Sequence, residues 1–538
     1  MESTMMDFPL VLPHILERAG HLYGNVELVS VKPDHSLHRY SYKDFYARSR
    51  KLANALSALG LEPGDRVATL MWNHHVHLES YFAVPSAGFV LHTLNLRLGP
   101  SDLAYLIQHA EDKVVIVDDI LWPLWEKVAP LVSVNTVVVV QWTPGPVPEG
   151  AISYEAWIHR YPEQFHYPQI AETAAAGMCY TSGTTGRPKG VVYSHRSLIL
   201  QALSVGLGAT LAIRQQDTVC SIVPMFHINA WGIPVLCAMV GAKQILPGPY
   251  LAPVSLLSLF MSEKVTKAVG IPTIWMGVLQ EYEKDPGKWD ISSLEVIGSG
   301  GAPVPEALIQ AYDRYGVKLL QGFGMTETAA VASFATLKST LEDETPAAQY
   351  AYRAKAGLPI PLVEARIMSL DGGSGAELPH DDRAVGELQL RGPFVAQSYY
   401  NRPDAEASWT ADGWFRTGDV AAIDTEGYIR IVDRTKDLIK SGGEWISSVD
   451  LENAIMAHPH VQEAAVVGVP HPKWQERPVA AVVLKEGRIL SESDLGIFLA
   501  EKFPKWWLPD RIVFVEELPK TTTGKFLKSA LRDRFTSP

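Results

Sequence analysis

Short apolar runs alternate with segments of helical spacing over most of this 538-residue chain. The runs Arg66–Met71, Val114–Val117, Thr136–Val140, Leu294–Ile297 and Lys318–Leu320 predict buried strands. Tyr42–Leu59 and Pro305–Tyr315 carry the helical period, and Pro305 suits a first helical turn. Alternation of this kind predicts α/β layers on a largely parallel sheet. Gly386–Tyr399 breaks the rhythm, because Glu-Leu-Gln-Leu-Arg-Gly alternates with a period of two and signals a smaller β-rich unit. No internal repeat or low-complexity tract is visible.

After Asp433-Arg-Thr-Lys-Asp437 the pattern resets. The polar segment Lys440-Ser-Gly-Gly-Glu444 leads into a predicted helix Val449–Ala457 and strands Glu463–Val467 and Val479–Val483. A helix Glu492–Lys502, a strand Ile512–Val515 and a terminal helix Leu527–Arg534 complete a small α+β domain. The expected division is 1–433 and 434–538, with the joint at Asp433–Lys436. Glycines beside a joint permit rigid-body motion.

Composition narrows the class. An apolar content of 47% with 20% charged residues is that of a globular chain. A formal net charge of −12, without any Lys/Arg block, argues against non-specific nucleic-acid binding. Cys179, Cys220 and Cys237 lie in apolar surroundings without CxxC spacing and read as small core residues of a reducing compartment. The N-terminus lacks a basic leader pattern, and no apolar run reaches membrane-spanning length. A soluble cytoplasmic protein is expected.

The chemistry concentrates in Thr181-Ser-Gly-Thr-Thr-Gly-Arg-Pro-Lys-Gly190, which directly follows the apolar run Ala174–Cys179. Glycines let backbone N–H groups approach oxygen atoms, hydroxyls add donors, and Arg187 and Lys189 neutralise charge, as a polyphosphate site requires. It is not a Walker A loop: Gly183 and Gly186 stand too close together, and no Gly-Lys-Ser/Thr follows at the required spacing. Four more clusters accompany it. Gly298-Ser-Gly-Gly-Ala-Pro303 sits between a strand and a helix, suited to an anion or a purine edge. Gln321-Gly-Phe-Gly-Met-Thr-Glu327 ends in a hydroxyl and a carboxylate suited to Mg²⁺–phosphate contacts. Gly413-Trp-Phe-Arg-Thr-Gly-Asp419 offers a carboxylate for two ribose hydroxyls, and Leu518-Pro-Lys-Thr-Thr-Thr-Gly-Lys525 a lysine in a glycine-flanked loop. Each cluster alone is compatible with a tight turn.

Taken in order, and with Asp433-Arg-Thr-Lys-Asp-Leu-Ile-Lys-Ser-Gly-Gly-Glu444, this series resembles the acyl-adenylate-forming superfamily of acyl-CoA synthetases, adenylation domains and beetle luciferases. The resemblance runs from about Tyr42 to Arg532. It implies a large, multi-subdomain N-terminal domain that binds ATP and the acyl group, with a small mobile C-terminal lid. It also implies residue roles. Thr181, Ser182, Gly183, Thr184, Thr185, Gly186 and Lys189 would hold the β- and γ-phosphates, with Thr184 and Glu327 on Mg²⁺. Gly300, Gly301, Ala302, Pro303, Gln321, Gly322, Phe323, Gly324, Met325 and Thr326 would surround the nucleotide, and Asp419 would hold the ribose with Arg434 beside it. Lys525 matches the lysine that bridges carboxylate and α-phosphate, and Lys436 the hinge of the lid. Lys440, Ser441, Gly442, Gly443, Glu444 and Trp445 resemble the segment lining the pantetheine channel of CoA. The physical logic agrees: a carboxylate attacking a phosphate brings anion to anion, so cations belong where charge accumulates.

Departures from the family pattern are Phe323 for a common Tyr, Ser448 for a usual proline, and Gln397-Ser-Tyr-Tyr400 for the usual Gly-Tyr pair. None removes a charge that the chemistry needs. The stretch Pro224-Met-Phe-His-Ile-Asn-Ala-Trp-Gly232 is expected on the acyl pocket wall, with His227, Trp231 and Gly232 as contacts; His227 is also a catalytic candidate that gates or positions the acyl-adenylate, a packed core histidine being the alternative. It carries no carboxylate to pair a substrate ammonium, so an acid with a neutral tail is favoured. With Trp72-Asn-His-His75 and Leu518–Lys528 it looks most like the branch of medium-chain acyl-CoA ligases and 3-methylmercaptopropionate-CoA ligases. The latter is preferred here, because a Trp-capped pocket suits a short thioether acid. His74, His75, His77 and Glu79 tempt a metal reading but fit an ordinary amphipathic helix entrance. The implied partners are a small carboxylic acid, ATP and CoA, with a homodimer as the assembly to test. A luciferase-like oxygenase shares every motif; a carrier-protein-loading enzyme would normally continue into a carrier domain beyond Pro538.

Overall fold

The computed structural model describes residues 1, 3–181, 187–370, 375–442, 444–520 and 526–536. Among them the strands form sheets of nine, seven, four and five members. The seven-stranded sheet runs Ile152–Ser153, Thr136–Val140, Asp112–Asp118, Arg66–Leu70, Val90–Thr93, Ala175–Tyr180, Gly190–Ser194, parallel except for its last pair. In the nine-stranded sheet the strands Glu27–Val31, Lys243–Leu246, Thr218–Ser221, Lys267–Gly270, Val296–Gly300 and Lys318–Phe323 are parallel neighbours, with antiparallel strands at both edges. This is the parallel α/β organisation that the alternating pattern predicts.

One hydrophobic core takes residues from both large sheets, such as Leu28 and Val219 from one and Val67 and Val114 from the other. Helices Leu12–Leu22, Tyr42–Ser57, His75–Ser86, His195–Gly206 and Ile233–Val240 contribute to the same core. Local chemistry sets their ends. Ser41 caps Tyr42–Ser57 in a reciprocal box, its own N–H donating to Asp44 Oδ2 at 2.9 Å. Pro305 proves to be the residue before the helix Glu306–Asp313 and not part of its first turn. The strand predicted at Leu294–Ile297 begins two residues later and spans Val296–Gly300.

The helix His75–Ser86 differs most from its sequence reading. Every one of its residues is buried, so it has no polar face and is not amphipathic. Glu79 and His77 find partners inside the core, whereas His75 Nδ1 and Ser86 Oγ are buried without a hydrogen-bond partner among the described residues. Glu79, fully buried, accepts from Arg48 Nε at 2.7 Å and from the Tyr154 hydroxyl at 2.5 Å. His77 meets Thr69 Oγ1 and the Trp72 carbonyl, each at 3.0 Å. Among the described residues no cluster of three His, Cys, Asp or Glu side chains is arranged to hold a metal ion.

The antiparallel strands Glu364–Met368, Gly386–Arg391, Phe415–Ile423 and Ile429–Arg434 make the β-rich unit signalled around Gly386. Beyond them, Val461–His471 and Gln475–Leu484 pair antiparallel, Arg511–Phe514 lies parallel to the second, and the hairpin Ile439–Ser441 and Glu444–Ile446 extends the sheet. The two cores of this last unit, around Ile446, Leu451 and Val466 and around Val467 and Leu531, use only residues from Ile439 onward. Among the described residues no helix is long and apolar enough to cross a membrane. All three cysteines are buried.

Candidate active site

The strand Ala175–Tyr180 empties into the Thr181 loop, and Gly190–Ser194 returns antiparallel to it. Two bonds close the loop's base: Thr181 N–H to the Lys189 carbonyl at 2.9 Å, and Lys189 N–H to Thr181 Oγ1 at 3.1 Å. Ser182, Gly183, Thr184, Thr185 and Gly186 lie outside the described residues. At the loop's far end the Lys189 ammonium stands 4.6 Å from the centroid of the Tyr399 ring.

In the nine-stranded sheet, the parallel strands Val296–Gly300 and Lys318–Phe323 end side by side, with Gly300 opposite Gly322. Ligands of open α/β sheets gather at such carboxyl ends. A Cβ at Gly300 would lie 2.8 Å from the Gly322 carbonyl and 3.0 Å from Trp231 Cη2, so only glycine lets the strands and the indole approach this closely. Gln321, buried, accepts the Val304 N–H at 2.8 Å and ties the two strand ends together, while Gly301, Ala302 and Pro303 remain exposed.

Past Phe323 and Gly324 the chain turns inward, and Met325, Thr326 and Glu327 are buried. The Thr326 carbonyl accepts from the Tyr193 hydroxyl at 2.8 Å. Glu327 is held twice by one distant segment: its carbonyl accepts the Ala396 N–H at 2.7 Å and its Oε1 the Tyr399 hydroxyl at 2.5 Å. Burial, and then the Glu327 carboxylate, push the Tyr399 phenol pKa up, so it stays a donor. Asp419 and Arg434 face each other across adjacent strands, with Arg434 Nε 3.0 Å from Asp419 Oδ1. That carboxylate raises the guanidinium pKa.

A pocket of about 850 Å³ of empty space, part of it open to solvent, joins these strand ends to an apolar wall. Gly301, Gly322, Phe323 and Gly324 line one side, and Phe226, His227, Trp231, Leu251 and Ile274 line the other. Arg97 adds a cation to the wall, its pKa lowered by burial. Gly232 is not part of the lining; it stands behind Trp231 against Gln201. The wall's backbone is unusual, since Ile228, Asn229, Ala230, Trp231 and Gly232 all have left-handed φ values.

On the small unit, Lys440 pairs with Trp445 in the hairpin and its ammonium lies 5.2 Å from the indole centroid. Ser441 is buried, and Gly442 donates its N–H to the Trp474 carbonyl at 2.8 Å. The backbone of Glu444 belongs to the hairpin, while Gly443 lies outside the described residues. Lys436 is exposed beside Asp437, which forms an ion pair with Arg532. Lys525 lies outside the described residues.

The structure therefore brings Lys189 and Glu327 together around Tyr399, with Thr181 bonded to Lys189, and the Gly300 and Gly322 strand ends around one pocket with His227 and Trp231. Sequence reading missed Tyr399, Gln201 and Arg97. Tyr399 stood in a segment noted only as a departure, 72 residues from Glu327, and no spacing rule links the two.

Comparison with known proteins agrees with this geometry. Residues 17–400 match the AMP-binding enzyme family and residues 450–525 the AMP-binding enzyme C-terminal domain. A long-chain-fatty-acid–CoA ligase of Thermus thermophilus is 48% identical over 99% of this chain and 97% of its own length. A 3-methylmercaptopropionyl-CoA ligase of Ruegeria lacuscaerulensis is 42% identical over 99% of this chain and 99% of its own length. A medium-chain-fatty-acid–CoA ligase of Ectopseudomonas oleovorans is 41% identical over 99% of this chain and 98% of its own length. Among solved structures, the anthranilate CoA ligase AuaEII in complex with anthranoyl-AMP superposes with a TM-score of 0.86 at 27% identity, covering 98% of each chain. The chain belongs to the AMP-binding enzyme family, and within it to the ATP-dependent acyl-CoA ligases.

Proposed function

We propose that this ligase activates a short carboxylic acid with an uncharged tail, 3-methylmercaptopropionate first among candidates, through acyl-AMP to the CoA thioester. The observation that carries the reading is the pocket wall. Phe226, His227, Trp231, Leu251 and Ile274 face the glycine-rich strand ends, so an acyl tail and a nucleotide would share one cavity. Among the described residues no Asp or Glu lies in that lining, and a substrate ammonium would be buried there without a counter-charge. The Trp231 indole occupies space that a longer tail would need, and two relatives carry the methylmercaptopropionyl name. A medium-chain acid is the second reading, supported by the medium-chain-fatty-acid–CoA ligase that is 41% identical over 99% of this chain.

The division of labour follows from charge. The Thr181–Lys189 loop would hold the β- and γ-phosphates, Asp419 and Arg434 the ribose, and Lys525 the reacting carboxylate and α-phosphate. Mg²⁺ fits the donor set: Glu327 supplies a hard carboxylate oxygen, and Thr184 a hydroxyl. When bound, the ion would neutralise charge on the phosphates. Residues 434–538 would turn about Lys436 as a lid, bringing Lys440–Trp445 to the site for the attack of CoA. Three buried thiols support the expected reducing, cytoplasmic setting. Steady-state kcat/KM over straight-chain C4–C10 acids and the thioether acid tests the substrate reading. A maximum at the C4-sized acids supports it, and a maximum at C8 or beyond replaces it with the second reading.

A further inference from the structure

The acyl wall contains a backbone feature that its sequence does not announce. Ile228, Asn229, Ala230 and Trp231 hold φ of 46°, 50°, 46° and 59°, and Gly232 follows at 76°. Left-handed turns press Cβ against the following carbonyl, and L-residues seldom sustain them consecutively. Such a run persists only where its surroundings over-determine it.

Those surroundings centre on Gln201. It lies within the helix His195–Gly206 and is fully buried. Its Nε2 donates to the Trp231 carbonyl at 3.1 Å. Its Oε1 fills the place a side chain at 232 would take, since a Cβ on Gly232 would lie 2.0 Å from it. One amide thus holds a carbonyl of the turn and enforces glycine at its end. The other end of Trp231 is fixed as well, because the ring rests against Gly300, where a Cβ would come within 3.0 Å.

Gln201 Oε1 is buried without a hydrogen-bond partner among the described residues, and that cost is set against the bond by which Nε2 holds the buried Trp231 carbonyl. We propose that Gln201 is a positioning residue for acyl selection. It does not line the pocket itself. By fixing the left-handed turn it sets how far the Trp231 indole stands into the pocket, and so the acyl length accepted. The inference rests on the acyl-pocket reading above.

The test uses the full-length enzyme and the C4–C10 acid series. Gln201→Met keeps length and removes the donor; Gln201→Asn retracts the donor by one carbon and serves if the first variant folds poorly. Either is expected to shift the ratio of kcat/KM between long and short acids by about tenfold, the scale of one methylene's discrimination. KM for ATP and for CoA should stay near wild type. Gly232→Ala should shift the same ratio, and adding Gln201→Ala to it should raise the thermal midpoint above that of Gly232→Ala alone. An active variant with an unshifted ratio, or one losing activity equally on every acid, overturns the role of Gln201. A wild-type enzyme with no turnover on any acid of the series would instead reject the acyl-pocket reading.

Discussion

The Tyr399 hydroxyl donates to Glu327 Oε1 at 2.5 Å, and the same ring stands 4.6 Å from the Lys189 ammonium. One side chain therefore joins the carboxylate proposed for Mg²⁺ to the lysine of the loop proposed for the phosphates. The bond engages Oε1 and fixes the carboxylate's rotation, which orients Oε2 as well.

Tyr399→Phe keeps the ring under Lys189 and removes only this bond. Loss of a group that orients a metal ligand typically costs 10–100-fold in metal affinity, so weaker binding of about that order is expected for Mn²⁺·ATP. Electron paramagnetic resonance titration of Mn²⁺ reads it directly. Tyr399→Leu, which also removes the ring, should weaken ATP binding further. Thioester formation from supplied acyl-AMP should be unaffected in both, and an unchanged Mn²⁺ affinity in Tyr399→Phe would contradict the orienting role.

Lys525 is assigned to charge stabilisation in adenylation alone. Lys525→Ala should therefore lose acyl-AMP formation by at least about 10²-fold, the usual scale for a removed transition-state donor, while thioester formation from supplied acyl-AMP is largely spared. Measuring the half-reactions separately decides it. Equal loss in both would remove the lysine from its assigned place.

Acid stability is expected to depend on His77. Burial lowers its pKa to about 3 from an ordinary value of 6.5, so the folded protein holds it neutral. Between those values the unfolded chain binds the extra proton, and stability falls as pH drops from about 6.5 toward 3. The slope from this one group is about 1.4 kcal/mol per pH unit within that window. His77→Gln, compared with wild type by urea unfolding at pH 7 and pH 5, should lose less stability between the two. An identical pH dependence would show that other groups govern it.

Strands that lie in the parallel sheets were legible because their apolar runs are short and bounded, and the family was legible because glycine and hydroxyl residues cluster locally in its ordered motifs. The helix His75–Ser86 was misread as amphipathic because burial on every side erases the periodic signal. The turn at Ile228–Trp231 was invisible, since three of its four residues carry no preference for left-handed backbone. Ser448 was noted only as a substitute for proline. In the structure its N–H donates to Asp433 Oδ2 at 2.7 Å and its Oγ accepts from Lys528 at 2.5 Å, two bonds that proline lacks. Gln201 and Tyr399 act on partners 30 and 72 residues away, which only the fold brings together.

The central claim is that the acid's own oxygen attacks the α-phosphate of ATP, and isotope transfer tests it most directly. The enzyme is incubated with ATP, CoA and 3-methylmercaptopropionate labelled with ¹⁸O in its carboxylate, and the products are analysed by mass spectrometry. The account expects the CoA thioester together with AMP carrying one ¹⁸O atom. Unlabelled AMP, or ¹⁸O in inorganic phosphate alongside ADP, would contradict it.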